Sequence, residues 1–274
     1  MAGHATAGLE EKIYFVTGST DGIGKHTAEK LARLGSRVLV HGRSAEKAET
    51  AANDIRAATG SDKVEAFSAD LSSLRQTRQL AEDVKKQHPH IDVLINNAGV
   101  FATKKQLTED GFELTWAVNV LAPFLLTALL YSHVRERIVN VSSISAGSKL
   151  DFDNLQAEKR FSDHGTYSLS KIAMQAFTKE LAERKPASQG PTVNCLDPGT
   201  VNTKMLNLGW GPCGMNLRDA NHELFLATDP SVKDAHGEYF VSNRKYSMSK
   251  QVYEADVRRR LWKMLEEQTG QQFP

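Results

Sequence analysis

Short apolar runs rich in β-branched residues alternate with helix-period segments along nearly the whole chain. The runs predict strands at Ile13–Thr17, Arg37–Val40, Val64–Ser68, Val93–Asn96, Arg137–Ser142, Thr192–Asp197 and Glu238–Val241. Between them, apolar positions spaced three and four apart predict helices near Ile23–Leu34, Ala45–Thr59, Leu74–Gln87, Glu109–His133, Tyr167–Arg184 and Ala220–Ala227. Strands that are almost wholly apolar and separated by helices imply a parallel sheet covered on both faces. Gly35 and Gly60 fall where the first two helices should stop. Two long segments break the rhythm, Ile144–Gly165 and Thr200–Arg218, and loops of that length are usually functional. Gln251–Gln268 reads as a helix whose Val257, Leu261, Met264 and Leu265 pack on the body, with Arg258, Arg259 and Arg260 on a solvated face. Seven strands and their helices use most of the 274 residues. The expectation is one α/β domain over 1–274, with a core of about 11–245 and a helical extension of about 250–270.

Composition narrows the class. Lys and Arg number 34 against 33 Asp and Glu, a net charge of +1, and 40% of residues are hydrophobic. The core can be substantial, and nothing suggests the basic stripe of a nucleic-acid binder. Two cysteines, Cys195 and Cys213, make neither a disulfide framework nor a four-thiolate zinc site. No metal site is expected, and the reading is a reduced, cytoplasmic protein. Met1–Lys12 lacks the apolar centre of a secretory signal. The most apolar stretch, Ala117–Tyr131, carries Asn119, Pro123 and Thr127 and falls short of the roughly 20 residues of a membrane span. It is expected as a buried helix, with no integral membrane span. Asn140-Val141-Ser142 matches a glycosylation acceptor but lies inside an apolar strand, a chance match.

Candidate chemistry begins after the first strand, at Thr17-Gly18-Ser19-Thr20-Asp21-Gly22-Ile23-Gly24. A strand, a glycine turn and a helix N-terminus form an anion site, because free N–H groups and the helix dipole face the ligand. A phosphate-binding P-loop would need glycine at position 19 and Ser or Thr after Lys25, where this chain has Ser19 and His26. The glycine spacing is not G-x-G-x-x-G either, and a glycine turn that binds nothing is the plain alternative. The second strand ends His41-Gly42-Arg43, without the acid that grips a ribose 2′-hydroxyl and with an arginine suited to a 2′-phosphate. That favours NADP(H) over NAD(H), with Ser19 and Lys25 assisting.

Ligands in such folds sit beyond the carboxyl ends of the strands. There the chain places Asp70-Leu71, Asn96-Asn97-Ala98-Gly99, Ser142-Ser143 and Asp197-Pro198-Gly199-Thr200. Asn119 interrupts an apolar helix, where an unbonded polar side chain costs roughly 1–3 kcal/mol. Tyr167 and Lys171 stand four apart, on one face of a helix. A phenol is a poor base at neutral pH, and a neighbouring ammonium favours its phenolate. Either residue alone is an ordinary surface pair; their weight comes from the order of motifs.

That order resembles the short-chain dehydrogenase/reductase family over about residues 11–245. The resemblance rests on Thr17-Gly18-x-x-x-Gly22-x-Gly24, Asp70, Asn96-Asn97-Ala98-Gly99, Asn119, Ser143, Tyr167-x-x-x-Lys171 and Pro198-Gly199 followed by Thr203. Asp151-Phe152-Asp153-Asn154-Leu155 and the wide gap between Ser143 and Tyr167 look like its retinol-dehydrogenase-like branch. The resemblance implies a doubly wound, mainly parallel seven-stranded Rossmann sheet with helices on both faces. It also implies hydride transfer between an alcohol and an aldehyde or ketone. In that mechanism Tyr167 exchanges the proton, Ser143 holds the substrate oxygen, and Lys171 lowers the phenol pKa and binds the nicotinamide ribose. Asn119 positions a water linking Lys171 to solvent. Gly18, Ser19, Gly22, Ile23, Gly24, Arg43, Asp70, Leu71, Asn97, Ala98, Gly99, Pro198, Gly199 and Thr203 match cofactor contacts, together with Tyr167 and Lys171. Asp21 departs from the basic residue of some NADP-preferring relatives. The partner is a small carbonyl or alcohol, expected to be lipophilic, with Leu206, Leu208, Trp210, Met215 and Leu217 available to line a pocket. A homodimer through Glu109–His133 and Tyr167–Arg184 follows from the resemblance. The alternative is a dinucleotide-binding regulatory or scaffold protein without turnover, which would be expected to lack Tyr167 or Lys171.

Overall fold

The structure, a computed structural model, describes residues 8–274, so part of the Met1–Lys12 reading lies outside it. Alternation of side chains sets the architecture. Ile13 and Phe15 of β1 (Ile13–Val16) face one core, whereas Tyr14 and Val16 face the other, and all four are buried. A strand covered on both faces must be apolar throughout, and β4 (Ile91–Asn96) is buried along its whole length. β2 (Arg37–Gly42), β3 (Val64–Ser68), β5 (Val134–Val141), β6 (Thr192–Leu196) and β7 (Tyr239–Val241) complete the parallel set. The sheet order is β3-β2-β1-β4-β5-β6-β7-β8. The order reverses direction between β1 and β4, the place where doubly wound sheets open a crevice for ligands.

The eighth strand corrects the expected seven. β8 (Arg244–Tyr246) runs antiparallel to β7 after Ser242 and Asn243, both at positive φ as a tight primed hairpin turn requires. All three of its residues are exposed, so it lacks the apolar signature used to find the others. Its Arg244 and Lys245 put charge on the open sheet edge.

Helices α1 (Gly22–Arg33), α2 (Ala45–Thr59) and α3 (Leu74–Gln87) are capped by Asp21, Ser44 and Ser73, whose side chains accept first-turn N–H groups. The helix expected at Glu109–His133 starts later, with α4 (Leu114–Trp116), a π turn at Ala117–Leu121 and α5 (Ala122–Leu130). Pro123 has no N–H to give the carbonyl of Asn119 four residues earlier, so regular α-helix cannot run through this point. The run Leu114–His133 is long and apolar enough to cross a membrane, yet 89% of an apolar 18-residue stretch within it is buried inside the fold. α6 (Asp163–Arg184) begins a turn before the expected Tyr167, capped by Ser162. A short helix that the sequence pattern left as loop, α7 (Lys204–Gly209), is capped by Thr203, and α8 (His222–Thr228) follows.

α9 (Ala255–Thr269) packs as its apolar stripe predicts, with Leu261 and Leu265 buried. Arg258 overturns the solvated-face expectation: it is buried and bonds Glu180, Glu183 and the Val252 carbonyl. A buried guanidinium needs that many acceptors. Arg259 is exposed, and Arg260 lies over the Phe152 ring. Trp262 meets Phe124 of α5 and Phe177 of α6, and Phe273 meets Phe124 and Tyr131. α9 and Phe273 thus pack on aromatic side chains of α5 and α6 and on Tyr131 just after α5.

Candidate active site

The glycine turn is fixed from below. Gly18 has φ +64°, and a Cβ there would lie 2.7 Å from the Ala98 backbone. Gly22 also has a positive φ, 57°, beside Thr203. A Cβ on Gly24 would strike the Asn97 amide, which donates to the carbonyls of Thr17 and Gly18. Thr17 Oγ1 in turn accepts from the N–H groups of Asn97 and Ala98. The Gly18 and Asn97-Ala98-Gly99 backbones thus approach each other as only small residues allow. This cradle at the start of α1 fits the pyrophosphate of a dinucleotide.

His41, near the end of β2, supports the glycine turn from beneath. It is fully buried, and burial pushes its imidazole down to about 4. Its Nε2–H donates to the Ala69 carbonyl, leaving Nδ1 to accept the Gly18 N–H at 3.1 Å. Ser19 is corrected. Its hydroxyl donates to Val16 O and accepts from His41 N–H, and its own N–H donates to His41 O. It shapes the loop from inside and does not reach out to hold a phosphate. Lys25 is paired with Asp54, and Asp21 with the exposed Lys204. Arg43 is exposed at the end of β2, with no ion pair among the described residues, and Ile23 lines the first turn of α1. Asp70 uses one oxygen to hold Ser72, and Leu71 is buried beside it.

The reacting groups meet at the ends of β4, β5 and β6. Ser143 stands beside the Tyr167 phenol, whose charged form its hydroxyl favours, and its Oγ accepts from Ser145 N–H. Ser142 points the other way and donates to the Lys171 carbonyl, as strand alternation predicts. Lys171 is buried, its Nζ donating to Val141 O at 2.9 Å and standing 5.3 Å from the centre of the Tyr167 ring. A Cβ on Gly99 would be 3.5 Å from Asn119 Oδ1 and 3.8 Å from Lys171 Nζ, so these groups converge on one point. The Asn119 amide is committed: Oδ1 accepts from Val100 N–H, and Nδ2 donates to Val100 O and Ser170 Oγ. What Asn119 has to offer a water is its backbone carbonyl, which lacks a donor from Pro123.

Burial and charge together set the resting protonation of the pair. Burial pushes the Tyr167 phenol up to about 12, Ser143 opposes that, and Asp197 adds to it. The Lys171 ammonium, 5.3 Å from the ring centre, favours the phenolate and works against that rise, and the phenol is protonated at neutral pH. Burial brings Lys171 down to about 8, against the favourable charges of Asp197 and Glu223. Glu223 had no signal in the sequence; it is buried on α8, pushed up to about 7 by burial, and accepts from Thr27 of α1.

Above the site lies an aromatic roof. The Phe101 ring packs 5.7 Å from Tyr167 and 4.9 Å from Trp210, and Trp210 lies 5.5 Å from Tyr167. His164 joins both, and its Nε2–H donates to the Gly209 carbonyl. Of the expected pocket residues, Trp210 reaches the site, whereas Leu208 is exposed. Phe101 and His164 escaped the sequence reading because an isolated aromatic or histidine in a loop carries no periodic signal.

A mainly parallel sheet with a glycine cradle at its switch point and a Tyr–Lys–Ser centre at the carboxyl edge defines a nicotinamide-dinucleotide oxidoreductase. Residues 12–209 match the family model for short chain dehydrogenase, and the chain belongs to that family. It is 36% identical to retinol dehydrogenase 13 of Mus musculus over 93% of this chain and 83% of that one. It is 34% identical to polyprenol dehydrogenase of Homo sapiens over 95% of this chain and 86% of that one. Among solved structures, a putative uncharacterized protein from Mycobacterium Paratuberculosis superposes with TM-score 0.82 at 29% identity, covering 96% of this chain and 95% of that one. A blue fluorescent protein from a metagenomic library in complex with NADPH gives TM-score 0.69 at 28% identity, covering 85% and 97%. The family acts on alcohols and carbonyls, and the retinol-dehydrogenase-like resemblance stands.

Proposed function

We propose that this protein is an NADP(H)-dependent oxidoreductase that interconverts a lipophilic aldehyde or ketone with its alcohol. The observation that carries this reading is the convergence of the Tyr167 phenol, Ser143 hydroxyl and Lys171 ammonium at the mouth of the glycine cradle. The bound cofactor supplies or takes the hydride. Ser143 donates a hydrogen bond to the carbonyl oxygen, which gains negative charge as reaction proceeds. Tyr167, protonated at neutral pH, gives its proton to that oxygen in reduction and takes it back in oxidation. Lys171, still mostly an ammonium at pH 7, stabilises the phenolate left behind. The backbone carbonyl of Asn119, which Pro123 cannot bond, offers an acceptor for a water through which that proton is replaced from solvent.

The NADP(H) preference is supported by the free, exposed Arg43 and by the absence of an acid at the end of β2. A similar protein is described as a complex with NADPH. The lipophilic class is supported by the roof of Phe101 and Trp210 and by relatives named for retinol and polyprenol. Turnover of a panel of small, aromatic and long-chain aldehydes and ketones with NADPH and with NADH tests the proposal. Faster NADPH oxidation with the long and aromatic members supports it, whereas tight NADPH binding without turnover of any carbonyl would leave the scaffold alternative.

A further inference from the structure

Asp197 closes β6, is buried, and takes no part in the proton transfer just described. Both carboxylate oxygens are used. Oδ1 accepts the N–H of Ile144, next to Ser143, at 2.9 Å, and Oδ2 accepts the N–H of Gly199, also at 2.9 Å. Those amides belong to segments leaving two neighbouring strands, since β5 pairs with β6. One segment carries the substrate-oxygen donor, and the other carries Pro198 and Gly199 at the cofactor wall. Gly199 sits at φ +86°, with its Cα side pressed by Met215 and His222, so the loop has a defined path for the carboxylate to secure. Buried carboxylate-to-amide bonds are charge-assisted and short-ranged, and replacing one oxygen by a donor sets N–H against N–H.

We propose that Asp197 is a positioning residue that fixes Ser143 and the Pro198–Gly199 wall as one unit. The inference rests on the oxidoreductase reading for its kinetic part and on geometry for the rest. Lys171 Nζ donates to the Val141 carbonyl of β5 beside the Tyr167 ring of its own helix, and the charges of Asp197, after β6, and Glu223, on α8, favour its ammonium. Tyr167 is faced by Ser143, Asp197, Phe101 and Trp210. Asp197 is therefore a charge shared by both members of the proton-transfer pair, and Glu223 is the other buried acid beside Lys171.

The test uses Asp197→Asn, nearly the same shape, alongside Ser143→Ala and the double variant, with folding followed by thermal melting. Asp197→Asn is expected to lower kcat at least tenfold with a smaller change in KM for the carbonyl. It also shifts the alkaline limb of the pH–rate profile downward, because Lys171 loses a favourable charge. In the Ser143→Ala background the same change should cost less than threefold, since the group it positions is already gone. A purely structural role would give additive losses and an unshifted pH limb, and that result overturns the proposal. Hydrogen exchange of peptides containing Ile144 and Gly199 supplies a readout without substrate. Faster exchange at both sites in Asp197→Asn supports the clamp, and wild-type rates at both overturn it even if the protein turns over no carbonyl. A wild-type protein without turnover but with the exchange change would count against the oxidoreductase reading alone.

Discussion

The floor and the roof of the active site are built on opposite principles. In the floor nearly every polar group has an internal partner: Thr17, Ser19, His41 and Asn97 bond one another's loops, and glycines let the backbones close up. In the roof, α7 has no buried residue and is held by Thr203, the His164 bond to Gly209, the exposed Asp21–Lys204 pair and aromatic contacts. Exposed pairs of that kind hold a segment only weakly. The floor is thus preorganised by internal hydrogen bonds, whereas the roof is held mainly by packing. Chemistry and cofactor choice should respond to single changes in the floor, and substrate choice to changes in the roof.

The largest departure expected is Gly18→Ala, which places a Cβ 2.7 Å from the Ala98 backbone at a positive φ. Strain of roughly 1–3 kcal/mol should weaken NADPH binding by about ten- to a hundredfold in a fluorescence titration, with a lowered Tm. Next comes Arg43→Asp. Loss of a charge-assisted contact worth about 1.5–3 kcal/mol should raise KM for NADPH tens of times more than KM for NADH. Equal effects would show that Arg43 does not read the 2′-phosphate. Trp210→Ala sits on the other side of the comparison. It should cut kcat/KM for a long or aromatic carbonyl by about tenfold and leave a small aldehyde within about twofold, through lost apolar contact. A larger effect on NADPH affinity than on the carbonyl would break the division between floor and roof.

A smaller effect is the pH response of the wild-type protein. Tyr167, up at about 12, stays protonated over the accessible range, whereas Lys171 loses its proton near 8. Carbonyl reduction should therefore be flat at neutral pH and fall several-fold as pH rises through about 8. Substitution of solvent-exposed Lys204 should leave that limb in place.

The same division explains what was legible in the sequence. Strands that end at the site announce its chemistry by residue type, as Asn97 after β4 and Ser143 after β5 do, because a polar group after an apolar run stands at the carboxyl edge. The parallel strands were legible because both faces are buried. β8 was not, since an exposed edge strand has no apolar pattern. The π turn at Asn119 was foreshadowed by Pro123, but its geometry depends on packing. Arg258 read as solvated because its acceptors Glu180 and Glu183 lie on another helix. The inward hydroxyl of Ser19, the double bond of Asp197 and the convergence of Phe101, His164 and Trp210 are long-range facts. Local spacing carries no trace of them.

The division of labour rests on Tyr167 being the proton donor on a cofactor site that forms without it. Titrating Tyr167→Phe with NADPH and then adding a carbonyl that the wild type reduces measures both halves at once. NADPH affinity within about twofold of wild type and a loss of about a thousandfold or more in kcat are expected, in line with removal of a general acid. Turnover like that of the wild type, or NADPH binding lost together with turnover, would contradict it.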